Sequence, residues 1–496
     1  MKQALCIAGG VLVGAMSARG QESVHNGYAV APFFRAAATE RVDVVCLGDS
    51  NQLHFGGGWD RAWTRVLQSR LGLYASGVIT PGEGSGNGGG IGEGWGVVGV
   101  GQGAFQTTGA PQPVARYLDG VTSGLGPLSY IYVPEGSSVS GSAQNGLVFY
   151  IIAPVTVTEP LRFHYATATF GGAGPGAFRP IIRDDASPFP ILLEGPRVST
   201  RAGPVGSVGV DYGFIELPAD IRPQQISFRF APVVETIDGP FAAFGMRAEQ
   251  VTATRGASLH TLFGVGGKSA RDMAAALIAS DDATLTVYFE QVRRLGSRGV
   301  LIRVNTGVND RNEELASMGP LGVTPGWSAE AYADNLDAIV SRLREIWSLN
   351  GWDRSELFFL FTPSHPVSAP DQQLLRDYRQ AARGVSDRVG RSAVVDFDAL
   401  VGSEAMVRNW WYYGGSDVHH LSGNGLDALS AREVDALRAA ARCAADVDGS
   451  GGIDGDDIVW FFGRWDANQM DYNGDGGTDS DDVIPFFLDW DAGCEA

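Results

Sequence analysis

The run Val42-Asp43-Val44-Val45-Cys46-Leu47 limits the fold of this chain more than any other feature, because it is apolar at nearly consecutive positions. Successive side chains of a strand point to opposite faces, so such a run must be covered on both, as in the centre of a parallel sheet. The rest of the chain offers the covers. Helical patterns over Trp59–Leu71, Ala270–Ile278, Ala283–Leu295, Ala329–Leu349 and Asp371–Arg383 alternate with strand patterns at Leu259–Phe263, Gly299–Val304, Leu357–Phe361 and Ser392–Phe397. Strands separated by amphipathic helices predict an α/β domain, doubly wound in three layers.

One long segment breaks this order. Between roughly Ala104 and Ala257, short alternating runs such as Leu147–Ile152, Leu161–Tyr165 and Ile226–Phe230 are separated by Gly and Pro clusters. That is all-β texture, most simply a sandwich inserted into the first domain. The expected organisation is an α/β domain in two parts, 38–103 and 258–442, an inserted β-rich domain over 104–257, and a tail over 443–496. Ahead of these, Lys2, the apolar run Ala4–Met16 and Ala18-Arg19-Gly20 read as a secretory signal peptide over 1–20. About thirteen apolar residues are too few to span a bilayer, and no later run predicts a transmembrane segment. A secreted, cell-surface or periplasmic protein is expected.

Charge sorts the remaining classes. The formal net charge is −19, so no nucleic-acid partner is expected, since phosphates need a basic face. From Cys443 to Ala496 there are thirteen Asp and one Glu against the single Arg464, which marks the tail as a separate unit. The tail also repeats itself with a period of 25, Asp446–Asp457 aligning with Asp471–Asp482, each followed by an apolar helix. A calcium loop needs oxygen ligands at positions 1, 3, 5, 9 and 12, a backbone carbonyl at 7 and a glycine at 6. Asp446, Asp448, Ser450, Gly452, Asp454 and Asp457 fill the ligand places in the first repeat, with Gly451 at the turn. Asp471, Asn473, Asp475, Gly477, Asp479 and Asp482 fill them in the second, with Gly476 at the turn. An acidic solubilising tail without metal is the alternative.

Nucleophilic catalysis by serine needs a base, an acid to orient it and donors for the oxyanion. Ser50 stands where the first strand ends and a helix should begin, so its N–H would point from a helix N-terminus toward a developing negative charge. Asp417-Val418-His419-His420 sets a carboxylate three residues before an imidazole. Gly267, after the strand ending at Phe263, offers a backbone N–H, and Asn309, in Thr306-Gly307-Val308-Asn309-Asp310, a side-chain amide. Taken singly, Ser50 reads equally as a helix cap, Asn309 and Asp417 as turn residues and Gly267 as a packing glycine. In order, and with the first three at strand ends where open α/β sheets place ligands, they carry more weight.

These residues resemble the four blocks of the SGNH hydrolases, or GDSL-type esterases: Gly48-Asp49-Ser50, Gly266-Gly267, Gly307-Val308-Asn309-Asp310, and Asp417 with His420. The resemblance implies a flavodoxin-like three-layer hydrolase domain. It makes Ser50 the nucleophile, His420 the general base and Asp417 its orienting acid, with Ser50, Gly267 and Asn309 forming the oxyanion hole and no cofactor needed for catalysis. Asn51 replaces the Leu of the name-giving pattern, and the second block comes late, displaced by the insertion; a glycine among Gly88 to Gly103 is the alternative for it, without a preceding apolar strand. His419 is expected as a rim residue or buried neighbour, His365 as a loop residue that could line the substrate cleft, as could His54 and Trp59, and Lys268 would border the oxyanion hole. An SGNH domain interrupted by a sandwich looks like bacterial esterases that deacetylate polysaccharide or cell-wall glycan, with a lipase or arylesterase, or a non-catalytic glycan-binding surface protein, as alternatives. Tyr165, Phe178 and Tyr212 of the insertion are expected as core aromatics sooner than sugar platforms.

Asp in place of Glu at position 12, with one helix after each loop, resembles the dockerin modules of cellulosomal and other secreted proteins. The ending Ala492-Gly493-Cys494 with Cys443 looks like the dockerin-type terminal domains of planctomycete proteins. The resemblance implies a small helical module with structural Ca2+, a Cys443–Cys494 disulfide, and a cohesin-like or cell-surface anchoring partner.

Overall fold

The computed structural model describes residues 23–49, 59–75, 93–94, 103–107, 114–116, 130–133, 147–151, 160–172, 177–184, 191–201, 204–205, 208–219, 226–232, 241–264, 268–310, 328–363, 365, 372–401, 420–448, 452–473 and 477–494. The segment 1–20, expected from the sequence as a signal peptide, lies outside the described residues. The chain divides into two compact units, one of 1–67, 264–278 and 298–496, the other of 68–263 and 279–297.

In the first unit the strands are β1 (Val24–His25), β2 (Arg41–Gly48), β3 (Val300–Thr306), β4 (Leu357–Pro363) and β5 (Ser392–Val395). They lie in the order β1-β5-β4-β3-β2, parallel except for the β1–β5 pair. Every residue of β3 and β4 is buried, as their near-continuous apolar runs require. The helices are α1 (Ala31–Thr39), α2 (Trp59–Arg70), α3 (Ala270–Ala279), α4 (Ala329–Leu349), α5 (Gln372–Val389), α6 (Phe397–Val401), α7 (Gly423–Arg442), α8 (Gly455–Asp466) and α9 (Ser480–Ala492). Phe33 of α1 packs on Phe358 with ring centroids 5.8 Å apart, while Arg344 of α4 lies over neighbouring Phe359. Adjacent strand residues point to opposite faces, so α1 and α4 cover opposite sides of the sheet and the three layers are real.

Three helices went unread in the sequence, the short α6 and the longer α1 and α7. The longer two have start signals: Pro32 in the first turn of α1, and Ser422 at the N-cap of α7, whose hydroxyl accepts from Gly425 N–H at 3.1 Å. The predicted helix ending at Arg383 continues to Val389, because Val385 is buried and Ser386 bonds Ser392, so packing carries it past Gly384.

The second unit holds two antiparallel sheets. One runs Ile191–Glu194, Ala177–Asp184, Ile226–Pro232, Leu147–Ile151, Gly103–Thr107, Glu93–Gly94, with Val198–Ser199 on Ala177–Asp184. The other runs Val208–Leu217, Leu161–Phe170, Phe241–Gln250, Tyr130–Val133, Val114–Arg116. Tyr165 of one sheet meets Phe178 of the other edge to face at 5.9 Å. Both are buried with Phe163, Ile215, Leu217 and Met246, a sandwich core. Tyr212 instead lies on the outer face and donates to Glu290 of the helix Asp282–Arg293.

The acidic tail belongs to the same compact unit as the α/β layers, where charge patterning predicts a separate one. Tyr28 stacks on Tyr472 at 5.7 Å and meets Trp460 edge-on. Phe461, Phe486, Met470 and Ala445 form the module's own core with Tyr472. Apolar contacts and cationic partners supplied by the α/β residues outweigh the solvation of a charged tail. Among the described residues no helix is long and apolar enough to cross a membrane.

Candidate active site and acidic loops

Ser50, Gly267, Asp417 and His419 lie outside the described residues, as do His54, Ser450 and Asp475. The elements that carry the site are described. Gly48, two positions before Ser50, is paired with Asn305 of β3 in parallel register. Asn309 follows four positions after Asn305, so the first and third blocks leave adjacent parallel strands at one carboxyl edge. Asn309 Nδ2 donates to the carbonyl of Lys268 at 3.0 Å, which fixes the amide's orientation and leaves its second N–H for a ligand. Asp310, buried, accepts from Ala270 N–H at 3.0 Å, from the Thr306 hydroxyl at 2.7 Å and from Gly307 N–H at 3.1 Å. It thereby clamps the start of α3, just after the second block, to the third-block loop. Lys268 pairs with Asp272 at 3.6 Å.

His420 is half-buried, two residues ahead of the α7 N-cap. His365, expected as a loop residue, is buried at 1% exposure. Tyr332 stacks on Tyr378 at 4.6 Å, and burial, then the charges of Asp310, Tyr378 and Asp49, push its hydroxyl well up.

The structure adds a tie that sequence reasoning missed. Arg303 of β3 and Glu433 of α7 form a two-bond ion pair, 3.0 Å each, with both side chains fully buried. Trp63 of α2 donates to the same carboxylate at 2.8 Å, and its ring lies under the guanidinium at 4.9 Å. One buried cluster thus joins the helix that follows Ser50, the strand that precedes Asn309 and the helix that follows His420. Its signal was an arginine inside an otherwise apolar strand, since buried charge demands a partner.

In the tail the two loops are built alike. Asp457 accepts from the N–H groups of Asp448 and Asp454 at 3.1 and 2.9 Å; Asp482 accepts from those of Asn473 and Asp479 at 2.9 and 2.8 Å. Asp454 and Asp479 each begin a helix with a capping box. Carboxylate oxygens of Asp446, Asp448 and Asp457 all lie within 4.8 Å of one another. Burial, with Asp448 adding to it, raises the Asp457 carboxyl above its ordinary range. Converged hard oxygens of like charge are the donor set that Ca2+ takes. Cys443 and Cys494 are joined in a disulfide, their Cα atoms 4.4 Å apart.

No protein-family model matches the chain, and no curated protein does. Among solved structures it is similar to one described as a peptidoglycan O-acetylesterase, at 13% identity and a TM-score of 0.48, over 84% of this chain and 96% of that one. It is similar to an alpha/beta hydrolase from the metagenome of Lake Arreo, Spain, at 19% identity and a TM-score of 0.22, over 36% and 72%. It is also similar to the second N-terminal cellulose-binding domain of Cellulomonas fimi β-1,4-glucanase C, at 13% identity and a TM-score of 0.21, over 29% and 84%.

Proposed function

We propose that this chain is an exported serine esterase that removes O-acetyl or other short acyl groups from a polysaccharide or cell-wall glycan. The observation that carries the reading is the stitched carboxyl edge, where Asp310 and Asn309 fasten the second- and third-block segments beside the strand that leads to Ser50. In the proposed reaction His420 takes the Ser50 proton, Ser50 attacks the acyl carbonyl, and Asn309, Gly267 and Ser50 N–H hold the oxyanion. Protonated His420 then releases the sugar hydroxyl, and water activated by the same imidazole frees the acid. Asp417 orients the ring.

The acidic loops support a structural role for Ca2+, held by Asp446, Asp448, Ser450, Gly452, Asp454 and Asp457 and by their counterparts Asp471 to Asp482. The module then resembles a dockerin with an anchoring partner outside the cell. Acetate release from acetylated xylan, acetylated cell-wall glycan and aryl acetate, set against Ser50→Ala, tests the catalytic reading. We expect release from a polymer and a loss of about a millionfold in turnover for Ser50→Ala. Hydrolysis of a longer aryl ester alone would move the substrate to lipids, and release that survives Ser50→Ala would end the serine mechanism.

A further inference from the structure

α7 buries an apolar face through Leu426, Leu429, Val434 and Leu437. In the middle of that face stands Glu433, paired with Arg303 of β3, both side chains at 0% exposure. Stability alone is a weak reason for such a pair, because apolar residues of similar volume do as well or better without the desolvation cost. What the pair supplies is direction. Apolar burial selects the face of a helix that meets a sheet, but it follows area and has no angular preference, so it holds the axial setting loosely.

The polar cluster holds that setting at several points. Nε and Nη2 of Arg303 donate to separate oxygens of Glu433 at 3.0 Å each, and Trp63 Nε1 donates to Oε2 at 2.8 Å. The guanidinium also lies over the Trp63 ring, 4.9 Å from its centroid. Directional bonds from a strand and a helix thus converge on one carboxylate, and a slip of α7 along its axis strains all of them.

Glu433 lies ten residues into α7, about 15 Å along the axis from its start. A helix moves as a rod over that length, so the setting at Glu433 is shared by Ser422, which caps α7, and by His420 two positions earlier. Arg303 belongs to the strand that leads to Asn309, and Trp63 to the helix that follows Ser50. A misplacement of about 1 Å can lower a rate about a hundredfold.

We infer that Glu433, gripped by Arg303 and Trp63, is a positioning residue that sets the reach of His420 toward Ser50. The inference rests on the serine-esterase reading above.

Steady-state hydrolysis of an aryl acetate by the full chain tests it, with turnover counted per Ser50 titrated by a serine-directed phosphonate, so that misfolded enzyme does not lower kcat. Glu433→Gln keeps the volume and loses the charge; Arg303→Lys keeps the charge and loses the fork. Each should lower kcat about tenfold or more and leave KM within about twofold. Arg303→Met with Glu433→Leu separates positioning from stability: its melting temperature should lie near that of wild type while kcat stays low. Wild-type kcat in that double variant, wild-type kcat in both single variants, or a rise in KM with kcat unchanged would each overturn the inference. Ser50→Ala is the control on the reading beneath it. Hydrolysis that survives Ser50→Ala removes the serine mechanism and this inference together, whereas Ser50-dependent hydrolysis left whole in the double variant removes the inference alone.

Discussion

Arg303 and Glu433 meet at the centre of the α/β unit with both side chains sealed from solvent, whereas Arg464 and Asp387 meet under the acidic tail with 15% and 33% of their side-chain surface exposed. Each carboxylate has further partners: Glu433 accepts from Trp63, and Asp387 from Asn26 at 3.0 Å with His25 at 2.9 Å. The chemistry is nearly the same, and burial is what separates the two. In the centre, a lost partner strands a charge that water cannot reach; at the seam, water steps in.

Four measurements break or sharpen that contrast. The largest effect is expected for Glu433→Ala, about 3–5 kcal/mol by urea unfolding, because it leaves Arg303 uncompensated. Arg303→Met with Glu433→Leu should recover most of that loss, and a single variant as stable as wild type would remove burial as the deciding variable. Next comes the disulfide. Cys443→Ser with Cys494→Ser releases a closure of 51 residues and should cost about 2–4 kcal/mol, read as a lower melting temperature under oxidising conditions.

A smaller effect belongs to Asp387→Asn, about 1 kcal/mol. Burial alone would push the Asp387 carboxyl up, but bonds from His25, Asn26 and Arg464 hold it well below the ordinary carboxylate range. A carboxylate whose folded pKa is depressed stabilises fully above its unfolded pKa, about 4, and loses that contribution as pH falls toward the folded value. Wild type and Asp387→Asn should therefore differ by a constant amount from pH 7 to 5 and converge in strong acid. A gap still at its full size at pH 2 would assign the seam to other groups. The smallest effect is expected for Arg35→Ala, which breaks a pair with Asp489 at 2.9 Å, its side chains 43% and 21% exposed. About 0.5 kcal/mol or less is expected from a double-mutant cycle.

Local pattern made much of the fold legible. The helix Ala329–Leu349 falls on the predicted residues because its apolar positions Leu336, Ile339, Val340 and Leu343 keep helical period and Ser328 caps its start. The strands at Arg41–Gly48 and Leu357–Pro363 were legible as continuous apolar runs, and the sandwich as texture. Its strand order was not, because antiparallel neighbours such as Gly103–Thr107 and Leu147–Ile151 are chosen by packing between segments distant in the chain. Asn309 could be named from its block, but its bond to Lys268 depends on where α3 begins in space. The tail's ligand spacing was legible twice over, and its docking was not, since Tyr28, Arg391 and Arg464 carry no mark that they belong to one seam.

What the amino-acid sequence determined by itself is local: which segments are strand or helix, the 25-residue repeat with its carboxylates at ligand spacing, and the order of four motif blocks. Periodicity and spacing act between residues a few positions apart, so they survive without knowledge of the fold. Only the tertiary structure decided which of these meet. Arg303 and Glu433 are 130 positions apart, and Arg391 reaches Asn473 across 82. Those pairings follow from burial, because a charge enclosed by packed layers accepts only the partner that the layers bring to it.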